Sequence, residues 1–424
     1  MPGSRWDLTR VAAAAMILTH VWRLQDLVAA SAALRPLLLA TAVAIGAVLL
    51  RPGTGPLLAQ RLRHPTAQLA LALLAVATLS VPGSLYPGLS FDFLLKNHLA
   101  SIILFLILLV GIRGTEDLTR FAAVLVAGGA IYTATILTRY DLGPDGRLGN
   151  LVYYDANDMG LLLDCTLPFA LYFAARARSL HWRIAAGCAA VLFLAGIVRS
   201  GSRGAFLGLI AVGIYTLIRG SHIPLRWRIT SVVTASFLLV VLASDQYWHM
   251  MQTLLNPKAD YNWAGASSGG RMEVWKRGVG YMLHHPFLGV GLAAFPVAEG
   301  TLSSVAQRQS YGGGAKWSAA HSSYVQVGGE LGVTGAIIFL ALLWTAFRGV
   351  TRRGPSTPPL GPPIAAALIG YAVSGAFLSQ GYATILYAVL ALAVGAAQLA
   401  PRAAPTSWPS MPMRSGARRF RFQG

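Results

Sequence analysis

Charged residues are scarce in this chain, and acidic residues are the scarcest. Asp, Glu, Lys and Arg together make up 12% of its 424 residues, whereas a soluble domain carries roughly 25%. This scarcity excludes an ordinary soluble globular protein. Long apolar runs recur from end to end and 55% of the residues are hydrophobic, so we predict an all-α, polytopic membrane protein. Alternating segments of about ten residues, typical of outer-membrane barrels, do not occur.

Signatures of disulfide, metal and nucleotide chemistry are also missing. The two cysteines, Cys165 and Cys188, lie in apolar stretches and are interpreted as small core residues. There is no P-loop and no cluster of His, Cys or carboxylates at metal-ligand spacing, so we predict no ATP, no metal and no other cofactor. The net charge of +19 is spread over short loops, which argues against a nucleic-acid partner.

The chain contains twelve predicted apolar spans. They run over residues 8–22, 34–50, 66–81, 97–112, 119–138, 158–174, 183–198, 203–218, 229–244, 331–347, 364–380 and 383–400. No internal repeat is evident, so an inverted-repeat transporter gains no support. The N-terminus lacks a convincing cleavage site, and we expect the first helix to be retained.

Most of the positive charge falls on one side of this topology. Twelve spans place both termini on the same side, called side A, with the connections after spans 2, 4, 6, 8 and 10. Side A holds 21 of the 34 basic residues but only Asp7, Glu116 and Asp117 of the 15 acidic residues. By the positive-inside rule side A is cytoplasmic, and both termini with it. The opposite face is called side B.

The predicted organisation has four parts. Residues 1–244 carry spans 1–9, residues 245–330 form one long side B loop, and residues 331–400 carry spans 10–12. The basic tail, 401–424, is predicted to be disordered and either contacts anionic lipid or acts only as a topology signal.

A surface helix is predicted within the long loop. Apolar residues such as Met272, Trp275 and Val279 recur at three- and four-residue steps. Glu273 and Arg277 form a possible i,i+4 pair, and Pro286 should end the helix.

Arginine and glycine combine at two side B positions. In Arg199-Ser200-Gly201-Ser202-Arg203, a helix starting near Ser202 would offer free N–H groups and two guanidinium groups to an anion. The alternatives are that Ser202 simply caps the helix and that the arginines snorkel. Gly269-Gly270-Arg271 repeats the arrangement, with an exposed, solvated arginine as the alternative.

A histidine occupies the end of the long loop. If Ser318 caps a helix, His321 lies in its first turn, where the helix dipole favours the neutral imidazole that a general base needs. A histidine hydrogen-bonded within the loop is the alternative. Glu330 can orient His321 only if Gly328-Gly329 breaks the helix.

A fourth polar motif, Tyr153-Tyr154-Asp155-Ala156-Asn157-Asp158, precedes span 6. Its resemblance to a calcium loop fails at the required glutamate, so we predict a polar helix cap with substrate contact possible.

Taken in order, these motifs resemble the O-antigen ligase family of bacterial inner-membrane glycosyltransferases. The matching stretches are 155–158, 199–206, 271–275, 285–291 and 321–332, within a twelve-span protein with a long loop before span 10. The resemblance implies a GT-C-like, multi-pass enzyme of the inner membrane with a periplasmic active site on side B. It also implies transfer of a polysaccharide from undecaprenyl pyrophosphate to a sugar hydroxyl of lipid A-core.

The resemblance further implies roles for individual residues. It implies that Arg203, Arg271 and His321 are catalytic. We expect the substrate-binding residues to be Arg199, Ser200, Ser202, Asp155, Asn157 and Tyr324. The same superfamily contains O-antigen polymerases and protein O-oligosaccharyltransferases, which remain alternatives. A non-enzymatic lipid or polysaccharide transporter is the alternative of a different class.

Overall fold

The computed structural model describes residues 6–28, 33–143, 147–149, 151–220, 224–253, 256, 270–307, 317–352 and 360–400. Within these ranges the chain is helical and contains no strand, which confirms the all-α prediction. The predicted Gly269 and basic tail 401–424 lie outside the described residues, as do Arg5 and Arg353, two of the basic residues assigned to side A.

The described residues form eighteen α-helices, several of which are continued by π or 3₁₀ turns. The helices are α1 Leu8–Met16, α2 Pro36–Leu49, α3 Thr54–Leu62, α4 Pro65–Ser80, α5 Pro87–Phe93, α6 Leu99–Gly111, α7 Thr115–Arg139, α8 Ala156–Arg176, α9 Leu180–Ser200, α10 Arg203–Arg219, α11 Leu225–Leu242, α12 Asp245–Gln252, α13 Arg271–His284, α14 Phe295–Thr301, α15 Ser304–Gln307, α16 Ser323–Thr351, α17 Gly361–Ser374 and α18 Thr384–Leu399. The π turns are Ile17–Val21 and Leu94–His98, and the 3₁₀ turns are Leu24–Leu27 and Gly375–Phe377.

Each predicted apolar span coincides with one of these helices. Within the described residues, six helical stretches are long and apolar enough to cross a membrane by themselves. They are Pro87–Gly111, Thr115–Arg139, Ala156–Arg176, Leu180–Ser200, Leu225–Leu242 and Ser323–Thr351. The α2–α3 pair, bent by 105°, makes a seventh if it is one span, and four shorter apolar helices accompany them. The chain therefore has the character of a multi-pass membrane protein, while the count of twelve remains a prediction.

The connections between helices meet in two separate groups. At one end, Arg10 pairs with Asp117 at 2.7 Å and Arg61 donates to the Ile112 carbonyl at 2.7 Å. These are side A positions. At the other end, the Tyr154 hydroxyl donates to the Val21 carbonyl at 2.7 Å. Each of these contacts joins positions that the predicted alternation assigns to the same side, and the membrane topology remains a prediction.

Some side A arginines make specific ion pairs. Asp7 accepts hydrogen bonds from Arg51 and Arg113. Partial burial acts to raise the pKa of the Asp7 carboxyl, but these hydrogen bonds hold the pKa well below its usual range. The arginines at this end therefore join α1 to the start of α7.

The centre of the molecule is α8, which packs on α9, α10 and α17. Its Asp164 is fully buried and accepts a hydrogen bond from Ser374 of α17 at 2.5 Å. Helix α11 differs, because none of its side chains is buried. It packs only lightly on α10 and leaves a gap between the two helices.

The surface helix predicted from residue 271 exists as α13 and ends at His284, before Pro286, as expected. Val274, Gly278 and Tyr281 are buried against the protein, whereas the predicted apolar positions Met272 and Val279 are exposed. Contact of the exposed apolar positions with the membrane surface remains a prediction. Gly278 determines which face of α13 packs on α16, because a methyl group at this position would lie 2.4 Å from Val325 of α16. A small residue at this position lets the two helices approach closely.

Glu273 and Arg277, predicted as a possible ion pair, each form an ion pair with a different residue. Glu273 pairs with Lys276 at 2.7 Å, and Arg277 reaches Glu299 of α14 at 2.5 Å. Long-range packing of α14 therefore overrides the local spacing.

Helix α16 is interrupted at Gly332, not at Gly328-Gly329. Gly332 has φ 72° and ψ −169°, a conformation that is essentially restricted to glycine. A methyl group there would lie 2.4 Å from the Pro286 carbonyl oxygen. The break seats the 285–292 loop against α16, where Val290 donates to the Gly329 carbonyl at 3.0 Å.

Replacing Gly332 by alanine is expected to destabilise the protein. The backbone conformation alone costs about 1–3 kcal/mol in a non-glycine residue, and the clash with Pro286 adds to it. The melting temperature in detergent should fall, whereas Gly46→Ala in α2, where nothing lies within 4 Å of the added methyl, should leave it unchanged or higher. Equal melting temperatures for both variants would contradict this account of the break.

Candidate functional site

The Arg199–Arg203 loop is a tight turn between α9 and α10. Gly201 adopts φ 58°, which ends α9 and redirects the chain. Ser202 caps α10 by accepting a hydrogen bond from the Ala205 N–H at 3.3 Å, as one of the two sequence interpretations has it. Ser200 accepts from the Ser202 N–H at 3.2 Å. Both serines are buried, so their hydroxyls serve the turn, and substrate contact remains a prediction.

The arginines of this loop differ in position. Arg199 is exposed in the last turn of α9, and Arg203 is the first residue of α10 and half-buried. One Nη of Arg203 donates to Thr253 at 2.7 Å. Arg203 is therefore held at the N-terminus of a 17-residue helix, where the helix dipole adds to its positive charge.

The Asp155 motif is a helix cap that also reaches the arginine loop. Asp155 accepts from the Asp158 N–H at 2.7 Å, and together they form a capping box for α8. Asn157 accepts from Arg147 at 2.7 Å, and Arg147 also donates to the Ser200 carbonyl at 3.1 Å. Sequence reasoning missed Arg147; the available signal was a basic residue in the side B loop that leads into Asp155.

Arg271 is the first residue of α13, with Gly270 as the N-cap. It is half-buried. One turn later, Trp275 donates its indole N–H to the Ala320 carbonyl at 2.9 Å. Residues at i and i+4 share a helix face, so Arg271 lies on the face of α13 that contacts the residue preceding His321.

The predicted position of His321 within a first helical turn is wrong. Ser322, not Ser318, caps α16, and His321 precedes the cap with φ 48°. A left-handed conformation is uncommon outside glycine and is often found at functional sites. The backbone N–H of His321 donates to the Ser379 hydroxyl at 2.8 Å, which fixes the residue in place. The left-handed residue turns the chain before the helix starts, so the cap moves to Ser322.

Tyr324 is engaged inside the protein. Its hydroxyl donates to the Ala372 carbonyl at 2.7 Å, and its ring lies 5.8 Å from that of Phe339. These contacts join α16 to α17. The expected role of Tyr324 in substrate binding remains a prediction.

The α17–α18 connection, residues 375–383, brings the candidate segments together. A methyl group on Gly204, the neighbour of Arg203, would lie 3.0 Å from Phe377, and the Phe377 ring lies 6.3 Å from Trp275. Two residues later, Ser379 accepts from His321. The segments carrying Arg203, Arg271 and His321 therefore surround a single connection.

The same connection extends to the Asp155 motif. The Gln380 amide donates to Asp158 at 2.6 Å, and Gly381 donates its N–H to the Gln326 side chain at 3.1 Å. Sequence reasoning missed Ser379, Gln380 and Gln326. The only signal for Gln380 was an amide at the end of an otherwise apolar span.

An ion pair fixes α13 beside this site. Arg277 donates to the buried Glu299 of α14 at 2.9 Å, and the Tyr281 hydroxyl donates to the same carboxylate at 2.9 Å. The hydrogen bond to Glu299 raises the pKa of Arg277. Burial raises the pKa of Tyr281, and the neighbouring carboxylate raises it further. The Arg277–Glu299 ion pair attaches α13, the helix that begins at Arg271, to α14.

The O-antigen ligase family model matches residues 188–340 of the chain. The match begins in α9 and ends in α16, so it contains Arg203, Arg271 and His321. No curated protein matches the chain significantly. Members of the family are glycosyltransferase-like enzymes of O-antigen and glycan processing. Residues 188–340 are thus similar to the O-antigen ligase family.

Proposed function

We propose that this protein is an O-antigen ligase. It transfers a polysaccharide from undecaprenyl pyrophosphate to a sugar hydroxyl of lipid A-core, at the periplasmic face of the bacterial inner membrane. The observation that carries the proposal is the convergence of the Arg203, Arg271 and His321 segments on the α17–α18 connection, within or beside the family match.

The two arginines have the chemistry required to hold the donor. Each guanidinium offers a planar set of donors that matches phosphate oxygens in pairs. Each also begins a helix, α10 or α13, whose free N–H groups favour an anion. Arg203 and Arg271 bind the pyrophosphate and stabilise the charge that develops as the sugar C1–O bond breaks. Arg199 is placed to assist at the exposed edge of the same loop.

His321 is the general base of the proposed reaction. Its imidazole accepts the proton of the acceptor hydroxyl while that oxygen attacks C1 of the donor sugar. The C1–O bond to pyrophosphate breaks, and its electrons leave with undecaprenyl pyrophosphate. A single displacement inverts the anomeric centre. Because pyrophosphate is a good leaving group, the reaction requires neither ATP nor a metal ion.

An apolar groove of about 460 Å³ between α10 and α11 offers a place for the polyprenyl tail. Phe206, one turn after Arg203, lines it together with Trp248 of α12. The groove continues to Thr216 near the other end of α10. A lipid whose diphosphate lies at Arg203 therefore has an apolar path along the same helix.

Replacing Gly213 by tryptophan is expected to weaken donor binding. Gly213 lines this groove and has nothing within 4 Å of an added Cβ, so the indole fills the groove without disturbing the helices. We expect the donor KM to rise at least about tenfold, which corresponds to about 1.4 kcal/mol of lost apolar contact, with the acceptor KM unchanged. Gly187→Trp in α9, equally open but outside the groove, is the matched control. An unchanged donor KM would remove the groove from the proposal.

The proposed function is tested with purified protein in detergent, where no membrane separates two compartments and transport cannot be observed. The protein is given a lipid-linked polysaccharide donor and, in separate reactions, lipid A-core, a second lipid-linked chain, or an acceptor protein. Glycosylation of lipid A-core supports the ligase. Products with only the second or third acceptor would instead identify a polymerase or a protein O-oligosaccharyltransferase. No product with any acceptor, from folded protein, would favour the transporter alternative.

A further inference from the structure

A polar cavity of about 240 Å³ lies behind the α17–α18 connection, and none of the roles above uses it. Its walls come from helices that are distant in sequence: α5 and the following π turn, the start of α8, the start of α16, and the start of α18. The volume is below the roughly 300–1,000 Å³ of pockets for drug-sized ligands. It suits a smaller ligand, such as one sugar ring.

The lining is hydrogen-bonding but not basic. Asn97, Gln326, Ser379 and Gln380 contribute amide and hydroxyl groups, and Asp158 contributes a carboxylate. Among the described residues that line the cavity, none is Lys or Arg. A lining that includes a carboxylate but neither Lys nor Arg disfavours phosphate, whereas amides, a carboxylate and aromatic rings together recognise a neutral molecule rich in hydroxyl groups.

Two features indicate that the cavity is built to bind. Asn97 lies in the π turn Leu94–His98, and such turns occur frequently at functional sites. Tyr382 lines the cavity and is 4% exposed, and its hydroxyl lies beside the buried carboxyl group of Glu330. The Tyr382 oxygen can accept a further hydrogen bond from a ligand hydroxyl in the cavity.

The cavity is adjacent to His321. Ser379 both lines the cavity and accepts the backbone hydrogen bond of His321. Phe377, two residues earlier, contacts Gly204 and Trp275, next to the two arginine segments. The arginine segments therefore contact the connection at Phe377, His321 contacts it at Ser379, and the cavity is lined by the part of the connection that begins at Ser379.

We infer that this cavity binds the acceptor sugar whose hydroxyl group His321 deprotonates, using Asn97, Asp158 and Gln326 to recognise its other hydroxyls. The inference rests on the proposed function and names the substrate for that site. It assigns the sugar of the acceptor to the cavity and the diphosphate of the donor to the arginine side. Acceptor specificity then depends on residues from α8, α16 and the π turn, apart from the arginine segments.

The test uses two variants, Asn97→Ala and Asp158→Asn. Each removes one recognition group, while Asn at 158 still offers an acceptor to Gln380. The control is Lys96→Ala, on the same π turn, where the side chain is 72% exposed and pairs with Asp92. Equilibrium binding of lipid-free core oligosaccharide is measured first, followed by turnover with complete lipid A-core and donor. Melting temperatures identify any variant that is misfolded.

The expected result is an oligosaccharide affinity about tenfold weaker in each cavity variant, with a matching rise in acceptor KM and an unchanged donor KM. Lys96→Ala should behave as the parent. Unchanged affinity in both folded variants, no binding by the parent, or a rise confined to donor KM would overturn the inference. A parent that binds the oligosaccharide but transfers nothing to lipid A-core would instead contradict the proposed function, so the two failures are distinguishable.

Discussion

Replacing His321 by alanine should lower turnover by about 10²–10⁴-fold, the usual contribution of a general base, while the KM for each lipid changes little. The reason is that alanine cannot accept the proton of the acceptor hydroxyl, whereas the arginines still hold the donor. Turnover is measured with purified protein. Attachment of O-antigen is followed in cells that lack their own ligase.

The conformation of His321 calls for a second variant. Alanine at φ 48° costs about 1–3 kcal/mol, so a loss of activity has to be separated from a loss of folding. Asparagine tolerates the left-handed region but is not a base. His321→Asn should therefore melt near the parent temperature and be as inactive as His321→Ala. Full attachment by either variant would remove His321 from the mechanism.

Replacing Arg203 or Arg271 by lysine should lower turnover by about 10²–10³-fold each, in the range found when a charge-stabilising donor is lost. Lysine keeps the positive charge, but it lacks the planar pair of donors that matches a diphosphate. If only a positive charge were required, the lysine substitutions would change turnover little. The substitutions therefore distinguish a requirement for paired hydrogen bonds from a requirement for charge alone. Both variants should fold normally, because each arginine is half-buried at a helix start.

The matched control is Arg139→Lys. Arg139 is exposed at the side B end of α7 and donates to the Leu27 carbonyl at 3.2 Å, away from the α17–α18 connection. It should retain parental turnover. If Arg203→Lys and Arg271→Lys also retain it, the arginines do not bind the donor through paired hydrogen bonds, and the proposed donor site is wrong.

The helices were predictable because their signal is local. Apolar runs identify each span without reference to the rest of the chain. Ser202 and Asp155 indicate the starts of α10 and α8 because they are residues that cap helices locally. The arginine loop and α13 were found for the same reason.

The features that position the site were not predictable from local patterns. Gln380 meets Asp158 across 222 residues, and His321 meets Ser379 across 58. The periodic pattern of apolar residues in a sequence carries no information about contacts between residues so far apart. The face of α13 that packs on α16 was not predictable because Gly278, which has no side chain, carries the closest approach to α16. The left-handed His321 was missed because it depends on Ser379 and on the cap at Ser322.

The most direct test is a cryo-EM map of the protein with an undecaprenyl pyrophosphate donor bound. We predict that the diphosphate lies within hydrogen-bonding distance of the guanidinium groups of both Arg203 and Arg271, with the His321 imidazole facing the sugar C1 on side B. A diphosphate bound elsewhere, or an imidazole turned toward hydrocarbon or toward side A, would contradict the central claim.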